Sequence, residues 1–244
     1  MLSREELNKR MTEFLLKYRE GYGRVSEIDD LEMDMDLMTY IKYYYADSYY
    51  EPRRGENAFF QMFSAIDGLE GRDPYYQTMQ EIEDAFGLDR DIVEIGCGFF
   101  PSLSRLIAKR QKEIGKGTIT AYDPELVTKV VDGVTLVRER FTLATPIPQN
   151  ALIIGRKPCE ATDVMIKAAA CNQSELFLKL CDCNHIPQKN ENDYVGPYRK
   201  KWFSYVDDLV EGTLQPGFVV EKSESIDNLV GDKDIIIKIK KLTR

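Results

Sequence analysis

From residue 90 onward, short apolar runs alternate with longer stretches of helical character. Apolar runs bounded by glycine or polar residues predict strands, and their alternation with helices predicts a parallel sheet with helices on both faces. A short polar stretch separates the last two strands and suits a hairpin. We therefore predict an α/β fold with one antiparallel strand at or near an otherwise parallel edge. The predicted strands are 92–95, 118–122, 134–137, 151–154, 175–180, 218–220 and 235–239, and the predicted helices are 102–114, 161–171 and about 201–210.

The first 88 residues differ, because their apolar residues recur at helical spacing. Asn57 suits the N-cap of one of these helices, Asp73 caps another, and Gly87 ends it. We expect an N-terminal helical cap, residues 1–88, followed by a second domain, residues 89–244. The predicted helices of the cap are 7–18, 34–45, 57–66 and 73–86.

The charge balance limits the partners of the chain. Its 244 residues include 33 Lys and Arg against 41 Asp and Glu, a formal net charge of −8. Such an acidic chain does not attract phosphate backbones in general, so we expect no nucleic-acid partner. No apolar run reaches about 18 residues and the first residues carry acids, which predicts neither a membrane span nor a signal peptide. Five cysteines without a C-x-x-C pair predict the cytoplasm as compartment.

The most informative segment is the glycine-rich stretch 91–101, DIVEIGCGFFP, between a predicted strand and a predicted helix. Gly96 and Gly98 allow the backbone to turn sharply and to approach a ligand closely. Asp123 follows the next predicted strand, 25 residues after Gly98. A carboxylate in that position can accept two hydrogen bonds from ribose hydroxyls. The spacing therefore predicts a site for a nucleoside cofactor.

These two motifs resemble those of a known family. E-x-G-x-G followed by F-F-P resembles motif I of the class I S-adenosylmethionine-dependent methyltransferases, and residues 119–124, ITAYDP, resemble the acidic motif after their second strand. The resemblance covers about residues 89–241. It implies a Rossmann-like, mostly parallel seven-stranded sheet with an antiparallel C-terminal strand, and S-adenosyl-L-methionine as cofactor.

The resemblance also implies roles for particular residues. Gly96 and Gly98 would face the methionine part of the cofactor, and Glu94 would help to order that loop. Asp123 would bind the ribose hydroxyls, and Glu139 or Arg140 would lie near the adenine. The full set implied to line the cofactor site is Glu94, Gly96, Cys97, Gly98, Phe100, Pro101, Asp123, Pro124, Glu139, Arg140 and Gly155.

Two features depart from the family pattern. Phe100 replaces the third glycine and Pro101 starts the helix, which disfavours a pyrophosphate at the helix N-terminus and hence NAD or FAD. S-adenosylmethionine has no phosphate, so the change is compatible with it. The interval 138–150 is too short and too rich in proline for the usual helix between strands three and four.

The segment after the fourth predicted strand, 155–160 or GRKPCE, lacks the Asn or Asp-Pro-Pro-aromatic motif that many nucleic-acid and protein methyltransferases carry there. Its Pro158-Cys159 pair is similar to the Pro-Cys of cytosine-5 methyltransferases, so a thiolate nucleophile at Cys159 is one hypothesis. The glutamate-bearing motif that accompanies such a cysteine is absent. Alternatively, Arg156 and Lys157 bind a carboxylate or phosphate of a substrate.

A C-x-C-x-H group, Cys181, Cys183 and His185, follows the fifth predicted strand and contains the only histidine. Three soft ligands suit a metal, but alternation along a strand also places these residues on one face without any metal. Because no fourth ligand is evident, we predict no metal site. His185 is a candidate general base, and Arg156, Cys159 and His185 together are the candidate catalytic residues.

The sequence thus predicts an S-adenosylmethionine-dependent methyltransferase that acts on a small molecule held under the helical cap. Two other functions stay open: a binding or interaction protein that has lost catalysis, and an aminopropyl or aminocarboxypropyl transferase that uses the same cofactor. The tyrosine-rich segment 40–50 suits either a lid over the site or an amphipathic helix, including a dimer face through the N-terminal helices.

Overall fold

The structure is a computed structural model, and it describes residues 5–6, 9–14, 50–51, 56–57, 62, 73–180, 185–187, 190, 193–226 and 233–242. Residues 9–14 are helical, as predicted, whereas the predicted helix 34–45 lies outside the described residues. Tyr50–Glu51 and Glu56–Asn57 form a short antiparallel pair. Asn57, the predicted N-cap of the helix 57–66, pairs with Tyr50 in this ladder, and residues 58–61 of that helix lie outside the described residues, so the helix stays a prediction.

Seven strands of the described chain form one sheet, and four helices accompany it. The strands are β1 (Ile92–Ile95), β2 (Ile119–Tyr122), β3 (Val134–Val137), β4 (Leu152–Arg156), β5 (Glu175–Lys179), β6 (Phe218–Ile226) and β7 (Lys233–Lys241). The helices are α1 (Pro74–Phe86), α2 (Ser102–Ile114), α3 (Thr162–Asn172) and α4 (Tyr198–Thr213), with a 3-10 turn at Cys159–Ala161.

The strand order is β3-β2-β1-β4-β5-β7-β6. The first five of these strands are parallel, and β7 runs antiparallel to both of its neighbours, β5 and β6. This confirms the predicted fold class, a Rossmann-like, mostly parallel seven-stranded sheet with an antiparallel C-terminal strand. The interval 138–150 contains no helix, as predicted.

The hairpin strands β6 and β7 are longer than predicted. Their ladder pairs nine residues of each strand and continues into polar residues beyond the apolar runs, after 218–220 in β6 and on both sides of 235–239 in β7. The apolar pattern marks only the part of a strand that faces the core, because the sheet edge outside it is solvated. Lys238, Lys240 and Lys241 lie on β7, which is an interior strand because β6 lies outside it at the edge of the sheet.

The alternation of side chains along the strands separates two layers. Val93, Ile153 and Leu178 join one apolar cluster with Met165 of α3 and Trp202 of α4. The residues next to them on the strands face the opposite side, where α1 and α2 pack against each other. Two of those residues, Glu94 of β1 and Lys179 of β5, are ionisable, and both lie towards the carboxyl ends of their strands.

The start of α1 agrees with the sequence. The Asp73 carboxylate accepts a hydrogen bond from the Tyr75 N–H at 2.8 Å, Pro74 occupies the first turn, and Gly87 ends the helix with φ of 71°. No helix within the described residues combines the length and apolar character that a membrane span requires.

Candidate functional site

The glycine-rich turn follows β1 at the carboxyl edge of the sheet. The strand order reverses at this point, because the chain continues from β1 to β2 on one side and later returns to β4 on the other. Open α/β sheets bind ligands in the crevice at such a reversal. Gly96 and Gly98 both have positive φ, 73° and 75°, and the Gly96 N–H donates to the Tyr122 carbonyl at 2.9 Å. The turn is therefore tied to the end of β2.

Asp123 lies directly beside this turn. One carboxylate oxygen, Oδ2, accepts a hydrogen bond from the Gly98 N–H at 2.8 Å, and Oδ1 accepts one from the Glu125 N–H at 2.8 Å. A carboxylate offers about four acceptor positions, so these two bonds leave capacity for further donors. The structure thus joins the two sequence motifs at one place and fixes the orientation of the carboxylate.

Glu94 points from β1 to the first turn of α2 and is 2% exposed. Its Oε2 accepts hydrogen bonds from the Ser104 N–H at 3.1 Å and from the Ser104 hydroxyl. Burial raises the pKa of this carboxyl to about 7, although the two Ser104 hydrogen bonds and the nearby charge of Arg156 act in the opposite direction. A protein carboxylate therefore occupies the helix N-terminus that would hold a pyrophosphate in a dinucleotide site.

Four other residues predicted at the cofactor site are packed within its wall. Phe100 and Pro101 are buried, and so is Cys97, which packs against Ala121 and Leu126. Burial also raises the pKa of the Cys97 thiol, which keeps it protonated. A Cβ on Gly155 would lie 2.5 Å from Cε of Met165, so a larger residue there would force the end of that side chain to move. What these positions contribute to ligand binding stays a prediction.

Pro124, Glu139 and Arg140 are exposed at the same edge. The guanidinium Nη2 of Arg140 lies 3.8 Å from Oε2 of Glu160, which brings the loop after β3 towards the loop after β4. The predicted role of Glu139 or Arg140 beside an adenine stays a prediction.

The candidate catalytic residues fall in two places. Arg156 ends β4, and its Cζ lies 4.3 Å from the centre of the Tyr75 ring. Cys159 begins the 3-10 turn after β4 and is half-buried, with φ of 50°. His185 packs edge-on against Trp202 of α4, with ring centres 5.8 Å apart, and its buried Nε2 has no hydrogen-bond partner among the residues that the structure describes.

The predicted C-x-C-x-H group cannot be placed as a unit. Cys181 and Cys183 lie outside the described residues, and only His185 of the three is described. Among the residues that are described, no group of three His, Cys, Asp or Glu side chains is arranged to hold a metal ion.

A buried ionic network that the sequence did not predict lies at the ends of β5, β6 and β7. Lys179 is 2% exposed, and its Nζ donates to Oε2 of Glu81 at 3.2 Å and to Oγ of Ser225 at 3.1 Å. The same Nζ lies 3.8 Å from Oδ2 of Asp234, whose other oxygen is 3.2 Å from Nζ of Lys157. The one available signal was the lysine inside the apolar run 175–180, at a position that alternation buries.

The glycine turn gives a direct test of the loop geometry. A Cβ on Gly96 would lie 3.0 Å from both Cα and Cβ of Pro158, in addition to the strain of a positive φ. We expect Gly96→Ala to lower the free energy of unfolding by about 2–3 kcal/mol. Gly115→Ala is the matched control, because Gly115 has φ of 76° but nothing within 4 Å of its Cβ position; it should cost only about 1 kcal/mol. Equal losses in urea unfolding would contradict the close approach of Pro158.

Comparison with known proteins gives structural neighbours only. No family model matches the sequence, and no curated protein matches it. Magnesium protoporphyrin IX methyltransferase from Synechocystis PCC 6803, with bound SAH, has 13% identity and a TM-score of 0.45, covering 84% of this chain and 99% of its own.

Two further solved structures are similar. An O-methyltransferase from Bacillus cereus in complex with SAH has 10% identity and a TM-score of 0.43, covering 86% of this chain and 99% of its own. The 23S rRNA methyltransferase ErmE has 15% identity and a TM-score of 0.40, covering 69% of this chain and 68% of its own. By their names these proteins act on different acceptors, so they do not select an acceptor for this chain.

Proposed function

We propose that this protein is an S-adenosylmethionine-dependent methyltransferase that acts on a small molecule. The observation that carries the proposal is the Asp123 carboxylate, which is hydrogen-bonded to the Gly98 N–H in the crevice where the strand order reverses. A fixed carboxylate with free acceptor capacity at the end of the second strand suits the two hydroxyls of a ribose.

The residues around the crevice fit this cofactor better than a dinucleotide. Gly96 and Gly98 give the turn the positive φ values that hold it against the end of the second strand, and Asp123 would hold the ribose. Glu94 already accepts the Ser104 N–H in the first turn of α2, so a pyrophosphate would compete with a protein carboxyl group there. When bound, the cofactor supplies an electrophilic methyl group, which the lone pair of an acceptor atom takes while the electrons of the C–S bond return to sulfur.

The protein's own contribution to such a transfer is mainly positioning. The turn after β1 and the loop after β4 are in contact at Gly96 and Pro158, which brings the predicted cofactor-binding turn next to Arg156 at the end of β4. Helix α1 places Tyr75 over that arginine. A small acceptor is supported by the acidic net charge of −8, which opposes general binding of a nucleic-acid backbone.

Calorimetric titration with S-adenosylmethionine, S-adenosylhomocysteine and NAD tests the cofactor. We expect micromolar binding of the first two and no binding of NAD. If the folded protein bound neither of the first two, the proposal would be wrong and the non-catalytic interaction protein would become the better hypothesis.

Removal of the Asp123 carboxylate tests the placement of the site. Asp123→Ala should weaken S-adenosylhomocysteine binding by about 1–3 kcal/mol, roughly 5- to 150-fold, because a buried hydrogen-bond partner of the ribose is lost. Asp132→Ala is the control, since Asp132 has an 87% exposed side chain paired only with Lys112 among the described residues. An unchanged dissociation constant in a folded Asp123→Ala protein would remove the ribose from this position.

A further inference from the structure

Arg156 lies at the edge of the sheet where the strand order reverses. It is the last residue of β4, the strand that lies beside β1 where the strand order reverses. Its register partner on β5 is Lys179. Two residues after it, Pro158 is in contact range of the glycine turn at Gly96. The guanidinium is thus carried by the strand next to the predicted cofactor-binding turn.

Arg156 forms no ion pair within the described part of the chain, although its charge acts on the nearby carboxyl of Glu94. Its neighbours are paired: Lys157 lies 3.2 Å from Asp234, and Lys179 lies 3.2 Å from Glu81 and 3.8 Å from Asp234. Glu81 and Asp234 thus compensate the two lysines, and the carboxyl group whose pKa responds to the charge of Arg156 is that of Glu94. Glu94 approaches from β1, but its hydrogen-bonded oxygen is directed to Ser104 of α2.

The hydrogen bonding of Arg156 is also incomplete among the described residues. Its Nε is fully buried and has no hydrogen-bond acceptor among the described residues. The guanidinium lies over the ring of Tyr75, itself only 6% exposed, at 4.3 Å from the ring centre. Stacking on an aromatic ring restrains the plane of the guanidinium but accepts none of its N–H groups. A buried donor without an acceptor is rare in native proteins and is commonly explained by a bound ligand, ion or water.

We propose that Arg156 binds an oxyanion, a carboxylate or a phosphate, of the small molecule that enters this crevice. Because the inference rests on the proposed function, that molecule is the methyl acceptor. An oxyanion offers two acceptor oxygens that match the planar fork of a guanidinium. Tyr75 acts as a positioning residue, since it restrains the fork without contributing a hydrogen bond to the anion.

Titration of matched anionic and neutral probes tests the proposal. Benzoate and phenyl phosphate, with benzamide and benzyl alcohol as neutral analogues, are titrated into the protein at constant ionic strength, with and without saturating S-adenosylhomocysteine. The wild type should bind at least one anion and neither neutral analogue. Arg156→Gln should weaken anion binding about 30-fold or more, because it removes one partner of a charge-assisted pair. The stronger of the two anions identifies a carboxylate or a phosphate as the recognised group.

Two further variants serve as controls in this test. Arg156→Lys retains the charge but loses the fork, so it should bind the anion more weakly than the wild type and more strongly than Arg156→Gln. If Arg156→Gln does not fold, as judged by the loss of cooperative unfolding, Arg156→Lys replaces it in the comparison with the wild type. Lys112→Gln removes one exposed positive charge elsewhere and should leave anion binding within about twofold, since a distant exposed charge is screened. Equal anion binding by the wild type and Arg156→Gln, or no anion binding by the wild type, would overturn the proposal.

The proposed function can fail separately. If S-adenosylhomocysteine does not bind while anion binding still depends on Arg156, the oxyanion site stands and methyl transfer does not. If S-adenosylhomocysteine binds while anion binding is independent of Arg156, the cofactor assignment stands and the oxyanion site does not.

Discussion

Replacing Lys179 with methionine should lower the free energy of unfolding by about 3–5 kcal/mol. Lys179 is 2% exposed and its Nζ binds Glu81 and Ser225, with Asp234 at 3.8 Å. Removal of the cation leaves the carboxylates of Glu81 and Asp234 with less compensation in a poorly solvated place. The measurement is urea unfolding of the wild type and the variant at pH 7.

Two comparisons separate this effect from a general effect of losing a lysine. Lys112→Met removes an ion pair whose side chains are 77% and 87% exposed, so the loss should be below about 1 kcal/mol. Adding Glu81→Gln to Lys179→Met should recover part of the lost stability, because it removes one uncompensated carboxylate. If Lys179→Met and Lys112→Met cost the same, the buried network does not contribute as described.

The pH dependence of stability should carry the signature of Glu94. Burial raises the pKa of its carboxyl from 4.5 to about 7 in the folded protein, so the folded state binds this proton more tightly than the unfolded chain does. The stabilisation is complete below pH 4.5 and is lost as the pH rises through 7. The shift corresponds to about 3 kcal/mol. Relative to Glu94→Gln, the wild type should therefore lose about 3 kcal/mol between the two ends of this window.

The variant comparison isolates Glu94 from other carboxyl groups, which titrate in both proteins. Urea unfolding at half-unit steps of pH gives the difference in the free energy of unfolding directly. Ser104→Ala should extend the fall to higher pH, because the Ser104 side-chain hydrogen bond lowers the pKa of Glu94. A difference between wild type and Glu94→Gln that does not change with pH would contradict the raised pKa.

The features that the sequence predicted correctly are those that depend on residues close together in the chain. The boundaries of α2 and β3 agree with the prediction, and α1 begins at the predicted Asp73 cap and ends at Gly87. Caps, glycine turns and apolar periods act over a few residues, so they can be recognised in a sequence. Where the structure depends on strand pairing, as along β6 and β7, the predicted strands were shorter than the observed ones.

The candidate site divides in the same way. Gly98 and Asp123 were predicted to lie together, and they do, because parallel strands that follow each other bring their carboxyl ends to one edge of the sheet. No pattern predicted that Tyr75 would cover Arg156 or that Glu81 would meet Lys179. Residues 81 and 179 are separated by 98 positions, and their contact depends on where α1 packs on the sheet.

The sequence by itself determined the order of strands and helices along the chain, the α/β class, and the turn that brings Asp123 to the crevice. These follow from periodicity and backbone conformation, which are properties of short segments. The tertiary structure alone decided that Lys179 is paired with Glu81, that Nε of Arg156 has no acceptor among the described residues, and that Glu94 is buried with a raised pKa. The physical reason is that solvation and charge pairing depend on every element packed around a group, and the packing of α1 and α2 on the sheet exists only in the folded chain.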